Sequence, residues 1–148
     1  MTKEDIIFTA GFFLGEGNIR VSQDVRGSFI GVVGISQLDR EPLERLRQLW
    51  GGTAEMFMGN GKPTTWRWYR NGGKALPCLE AILPIVRDWS TFNTQRIEKY
   101  IEFYAIDSTD WRARSTIVQW FKTCVENHRK ACHAYLDACY AEKQNSRR

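Results

Sequence analysis

The hydrophobic pattern opens on a helical period and then changes. Ile6, Ile7, Ala10, Phe13 and Leu14 recur at helical spacing, and Thr2 followed three residues later by Asp5 has the form of a capping box. A first helix is therefore expected from about Lys3 to Gly15. After Gly17 apolar residues fall on alternate positions. Ile19, Val21 and Val25 take one side, and Asn18, Arg20, Ser22, Asp24 and Arg26 take the other, which predicts a half-buried strand with a polar open face. Gly27-Ser28 reads as a short turn and Phe29 to Ser36 as the partner strand.

Gln37 to Pro42 ends this hairpin and starts a helix, with Asp39 expected at the N-cap and Pro42 in the first turn. Leu43, Leu46, Leu49 and Trp50 form its buried stripe, and Gly51-Gly52 stops it. Thr53 to Met58 and Thr64 to Arg70 predict two further strands around the turn Gly59-Asn-Gly-Lys-Pro63. Leu76, Leu79, Ile82, Leu83 and Val86 mark a third helix, beginning near Ala75, and Ile97, Tyr100, Ile101 and Tyr104 a fourth.

The order α-β-β-α-β-β-α-α predicts an α+β fold: a four-stranded antiparallel saddle sheet backed by helices on its apolar face. Trp66 and Trp68 are expected in the core. Arg20, Ser22, Asp24 and Arg26 on one strand, with Thr65, Arg67 and Tyr69 on another, are expected on the open face. Alternating donors and acceptors suit the reading of base edges in a DNA major groove, and a merely solvated face is the alternative. The second strand places Ile30, Val32 and Gly34 there instead, for methyl contact or shape reading. The register from Ala54 to Met58 stays open, with Glu55 and Phe57 on one side and Met56 and Met58 on the other.

Composition narrows the class. In 148 residues, 43% hydrophobic and 13% aromatic content argues for a folded globule and against a disordered tail. A formal charge of +4 leans towards a polyanion partner. No apolar run approaches the roughly 18 residues of a membrane span. Met-Thr-Lys-Glu-Asp lacks the order of a signal peptide, and Cys78, Cys124, Cys132 and Cys139 fit reduced thiols better than a disulfide framework. The expected location is intracellular, in cytoplasm or organelle, and not secreted.

The chemistry centres on Thr9-Ala-Gly-Phe-Phe-Leu-Gly-Glu-Gly17. Small residues at helical spacing let two helix backbones approach closely. Glu16 then sits where the helix is expected to stop, and the dipole there prefers a cation. By themselves these residues fit equally a packed core helix with a solvated Glu at its end.

The stretch resembles the LAGLIDADG signature of homing endonucleases, with Ala10, Gly11, Glu16 and Gly17 on its most diagnostic positions and Leu14 where the signature normally has Asp. Ile35-Ser-Gln-Leu-Asp-Arg-Glu-Pro-Leu43 followed by Trp50-Gly-Gly52 resembles that family's strand-to-helix passage, and Trp66-Arg-Trp68 leading into Gly72-Gly-Lys-Ala75 extends the likeness. The resemblance runs to about residue 106, so residues 1–106 are expected to form the endonuclease core and 107–148 a helical extension.

With a single motif, the resemblance implies a homodimer whose motif helices cross at the twofold axis through Ala10, Gly11, Leu14 and Gly15. It implies metal-dependent hydrolysis of one phosphodiester per strand at a long pseudo-palindromic site. The same resemblance implies cuts across the minor groove, between sheets lying in flanking major grooves, that leave 3′ overhangs. Paired Glu16 carboxylates repel unless cations lie between them. Glu16 with the Gly15 carbonyl is the expected metal site, and hard oxygen ligands beside phosphate suggest Mg²⁺. Gln37 matches the water-ordering position, and Arg40 is the expected basic residue near the scissile phosphate. The implied partners are double-stranded DNA and a second copy, with no membrane and no small-molecule substrate.

One departure concerns catalysis: Phe92 stands where the family commonly has a Lys, with Arg87 or Arg96 as candidate replacements. A catalytically weak or inactive DNA- or RNA-binding protein, maturase-like, is the alternative on the same fold, and a protein-interaction domain with a solvated sheet is the third reading. An intron, intein or free-standing origin is left open. Beyond residue 107, Ile117, Trp120, Phe121, Cys124, His128, Ala131, Cys132, Tyr135 and Cys139 form a helical stripe, read as packing in preference to a metal site. Arg112, Arg114, Lys122, Arg129 and Lys130 give this helix a basic face, for DNA or for solvent. The tail from Gln144 is expected to fray.

Overall fold

The computed structural model describes residues 1–148. Helix α1 spans Lys3–Glu16 and opens on the expected capping box. The Asp5 N–H donates to Thr2 Oγ1 at 3.1 Å, and the Thr2 N–H donates to Asp5 Oδ2 at 3.0 Å. Thr9, Ala10 and Phe13 are its buried face. Gly17 leaves the helix in extended conformation with its own site packed under Phe13; a Cβ there would overlap the Phe13 carbonyl and ring.

Strands β1 (Gly17–Gln23), β2 (Phe29–Gln37), β3 (Thr53–Gly59) and β4 (Lys62–Asn71) form one antiparallel sheet in the order β1-β2-β4-β3. Helix α2 (Glu41–Trp50) joins β2 to β3. After β4 come a short 3₁₀ turn (Gly72–Ala75) and helices α3 (Leu76–Trp89), α4 (Thr91–Ala105) and α5 (Trp111–Ser146). The element order and fold class are those expected from the pattern.

Ile19, Val21, Val33, Ile35 and Trp68 point from the sheet into one core with Phe13, Leu79, Ile82, Ile97, Tyr100 and Phe103 of the helices. Burying a large apolar side chain of this kind stabilises by about 1.5–3 kcal/mol. The indole N–H groups carried into this layer find acceptors, whereas the Nε atoms of Arg70 and Arg114 are buried beside it without one. Trp68 Nε1 donates to the Gly51 carbonyl at 2.8 Å, and Trp50 Nε1 donates to Thr9 Oγ1 at 2.9 Å, tying α2 to α1. Trp66 is half-buried.

Several expectations are corrected. β1 ends at Gln23, because the Asp24 carboxylate accepts from the Arg26 and Ser28 N–H groups, each at 2.9 Å, and folds Asp24–Ser28 into a turn. Val25 is consequently fully exposed. The β3–β4 turn is only Asn60-Gly61, both with positive φ (52° and 75°), so the strands extend to Gly59 and Lys62. Arg40, not Asp39, occupies the cap position of α2; the Asp39 carboxylate accepts from the Glu41 N–H at 3.1 Å.

Helix α5 does not fray at Gln144; it continues to Ser146, a length of 36 residues or about 54 Å. Of its predicted stripe only Ile117 and Phe121 are buried, and with Val118, which lies outside that stripe, they complete the common core. Past that point Cys124 is half-buried and the His128 ring lies 5.5 Å from Phe92 of α4, and farther on Cys132, Tyr135 and Tyr140 are exposed.

Candidate nucleic-acid interface and catalytic centre

Strand register decides which side chains share the open face. Residues directly opposite one another project from the same side. Arg20 pairs with Val32, Asn18 with Gly34, Gly34 with Tyr69, and Ser36 with Arg67; on the far edge Glu55 pairs with Arg67 and Phe57 with Thr65. Arg20, Ser22, Thr65, Arg67 and Tyr69 therefore lie together on the face away from the helices, as the pattern predicted. Asp24 and Arg26 do not join them, since both sit in the hairpin turn.

A cleft of about 390 Å³ crosses this face between Asn18 and Arg20 on one side and Phe57, Arg67 and Tyr69 on the other, with Gly34 among the residues that line it. Glu55 and Phe57 complete the face and were not assignable from sequence, because a β-bulge at Phe57/Met58 and the β3–β4 register decide their side. Arg67 Nη2 donates to Glu55 Oε1 at 3.1 Å, and its guanidinium lies 4.9 Å from the centroids of both Phe57 and Tyr69.

The motif helix presents a second surface. Ile7, Gly11, Gly15 and Glu16 are exposed along one side of α1, and a shallow depression there is bordered by Phe12, Gly15, Glu16 and Gln37. A Cβ added at Gly11 or Gly15 would meet nothing within 4 Å. Ala10, expected at a dimer contact, is fully buried in its own core, and Leu14 is half-buried against it. Ile7, read as core, is half-exposed and faces outward with the glycines; its place off the Thr9–Phe13 stripe is the signal that identifies it.

Glu16 closes α1 with no basic side chain in the last turn. Gln37 ends β2 directly opposite Trp66, and Arg40 in the following turn stacks 4.8 Å over the Trp66 ring. Arg40 Nη2 also donates to Glu44 Oε1 at 3.3 Å. The hydrogen bond from Arg47, with Arg40 behind it, holds the Glu44 carboxyl below the usual carboxylate range. Thus Glu16 and Gln37 share one depression, and Arg40 rests on Trp66, the cross-strand partner of Gln37.

Neither candidate replacement for the missing Lys is free. Arg87 Nη2 donates to Glu98 at 3.2 Å. Arg96 is buried, donates to Asn18 Oδ1 at 3.0 Å and to the Ile19 carbonyl, and stacks 5.1 Å over Phe92. Burial pushes its pKa below the ordinary guanidinium value. On α5, Cys132 Sγ lies 3.6 Å from His128 Nε2, yet no three His, Cys, Asp or Glu side chains converge to hold a metal within one chain.

No protein-family model matches the sequence, and no curated protein sequence matches it. Solved structures do. The homing endonuclease I-CvuI in complex with its target is similar over 83% of this chain and 85% of that one, with a TM-score of 0.66 at 13% identity. The archaeal intron-encoded homing endonuclease I-Vdi141I, complexed with DNA, is similar over 82% and 84%, with a TM-score of 0.60 at 15% identity. The group I intron-encoded I-CeuI, also with DNA, gives a TM-score of 0.54 at 16% identity over 74% of this chain. So few shared residues leave the architecture as the common property, and the chain has the fold of the LAGLIDADG homing endonucleases.

Proposed function

We propose that the chain is a site-specific, double-stranded DNA homing endonuclease that works as a homodimer on a long pseudo-palindromic site. The observation that carries this reading is that Gly11, Gly15 and Glu16 share the uncovered side of α1, immediately before the strand that starts the open sheet face. Two copies crossing at Gly11 and Gly15 bring two Glu16 carboxylates together and set two sheets side by side. The solved complexes of similar fold with DNA support the same partner.

The donor set fits a hard divalent cation, for which we propose Mg²⁺. One chain contributes a single exposed carboxylate and the Gly15 carbonyl, so a complete site needs the second copy and phosphate oxygens. A bound divalent ion would supply an activated water and neutralise charge on the leaving oxygen. The chain's own residues perform the remaining work. The sheets position the duplex, Gln37 orders water beside the scissile phosphate, and Arg40, steadied by Trp66, places a fixed positive charge there. Residues 1–106 carry this machinery, and the start of α5 completes their core.

A second reading has its own observation. Arg87 and Arg96 are both engaged within the chain, and Arg40 is shared with Glu44. A binding protein of the maturase kind would tolerate this arrangement. Cleavage of a randomised duplex library in Mg²⁺, comparing wild type with Glu16→Gln, tests the two. Cutting at one near-palindromic site that vanishes in the variant supports the endonuclease. Site-selective binding without cutting moves the assignment to the binding protein.

A further inference from the structure

We propose that Arg67 and Glu55 act as one reading unit for a single G·C base pair, with Arg67 donating to guanine and Glu55 accepting from cytosine. This rests on the sheet face meeting a duplex. The two residues are direct cross-strand partners on that face, with side chains 37% and 45% exposed, so the pair projects outward without being lost to solvent.

The arginine is built for direction more than for charge. Phe57 and Tyr69 flank its guanidinium at 4.9 Å each, and its Nε is buried without an acceptor. Nη2 is committed to Glu55 Oε1, while Nη1 has no acceptor within the chain. A side chain held this way loses little rotamer freedom on binding and offers one donor edge in one direction. Arg20 differs, since it makes none of the chain's ion pairs.

Glu55 completes the match. Its Oε1 is taken by Arg67, and Oε2 has no donor in the chain. In the major groove a G·C pair presents the guanine N7 and O6 acceptors beside the cytosine N4–H₂ donor. A cation beside a carboxylate, on strands about 4.8 Å apart, is the complement of that pattern. A carboxylate facing DNA also repels phosphate, so it weakens binding everywhere except over a base that donates to it.

The test is selection of bound duplexes from a randomised library in Ca²⁺, with wild type, Arg67→Gln, Arg67→Lys and Glu55→Gln. Wild type is expected to select one invariant G·C pair at the same place in each half-site. Arg67→Gln is expected to move that position towards A·T, because a carboxamide pairs with adenine N6 and N7. Arg67→Lys keeps the charge but loses the fork, so salt-dependent binding to non-cognate duplex should persist while discrimination at that position, and with it cognate affinity, falls roughly 5- to 150-fold, the span of one good base contact. Glu55→Gln, nearly isosteric, should relax the same position only. Unchanged base preference in all three folded variants would reduce the pair to a cross-strand brace and overturn the inference. If wild type itself shows no salt-sensitive duplex binding, the endonuclease reading fails together with it.

Discussion

Arg96 on α4 donates to Asn18 Oδ1 at 3.0 Å across 78 residues of sequence, and thereby fastens the last core helix to the start of β1. The same nitrogen serves the Ile19 carbonyl, and no carboxylate balances the buried charge. Arg96→Met keeps the stem and removes the donor, leaving the buried Ile19 carbonyl short of a partner while the exposed Asn18 turns to water. A loss of about 2–3 kcal/mol is expected in urea unfolding, in line with hydrogen bonds to a charged group. Since Asn18 lies two residues after Glu16, cleavage should fall further than stability alone predicts.

The glycines within α1 and the one that follows it are expected to divide into two kinds. Gly11→Ala and Gly15→Ala meet no atom within the chain and replace a poor helix former, so the monomer should gain about 0.5–1 kcal/mol for each. In the proposed homodimer the same methyl groups would widen the helix crossing, so sedimentation should show weaker self-association than wild type, with less cleavage. Gly17→Ala should do the reverse of the first effect, costing about 1–3 kcal/mol through its overlap with Phe13.

Acid sensitivity follows from three surface carboxylates. Backbone and side-chain hydrogen bonds from Thr2 hold Asp5 low, hydrogen bonds from Thr109 hold Asp107 low, and Arg47 holds Glu44 low. A carboxyl depressed in the folded state binds fewer protons there than when unfolded. Its contribution is present above the ordinary carboxylate pKa and is lost as pH falls through the depressed value. The melting temperature should hold steady down to about pH 4 and then decline. Asp5→Asn and Asp107→Asn should each make that decline shallower.

Thiol chemistry separates the cysteines. Burial pushes the Cys78 thiol up to about 12, whereas Cys132 is exposed on the free part of α5. With a chromogenic disulfide at pH 8, Cys132 should react within the mixing phase and Cys78 only at the rate of unfolding. Rapid labelling of Cys78 in the folded protein would contradict this packing.

Much of the molecule was legible in the chain because its causes are local. Thr2 and Asp5 cap α1, Gly51 and Gly52 take the positive φ that stops α2, and the alternation of Ile19 and Val21 with Asn18, Arg20 and Ser22 fixes which face of β1 is buried. Each of these rests on neighbours within a turn or on a period of two. Other assignments needed contacts that periodicity does not carry. Asp24 and Arg26 leave the strand because a side-chain hydrogen bond competes with the ladder, and Ala10 turns inward while Ile7 turns out because the sheet lies on only one side of α1. Glu55 reaches Arg67 only once β3 is registered on β4, and Arg96 reaches Asn18 only once α4 lies against β1. Sequence alone therefore determined the elements, their order and the motif. Tertiary structure decided which side chains share a surface, since strand register and helix rotation are settled by long-range packing.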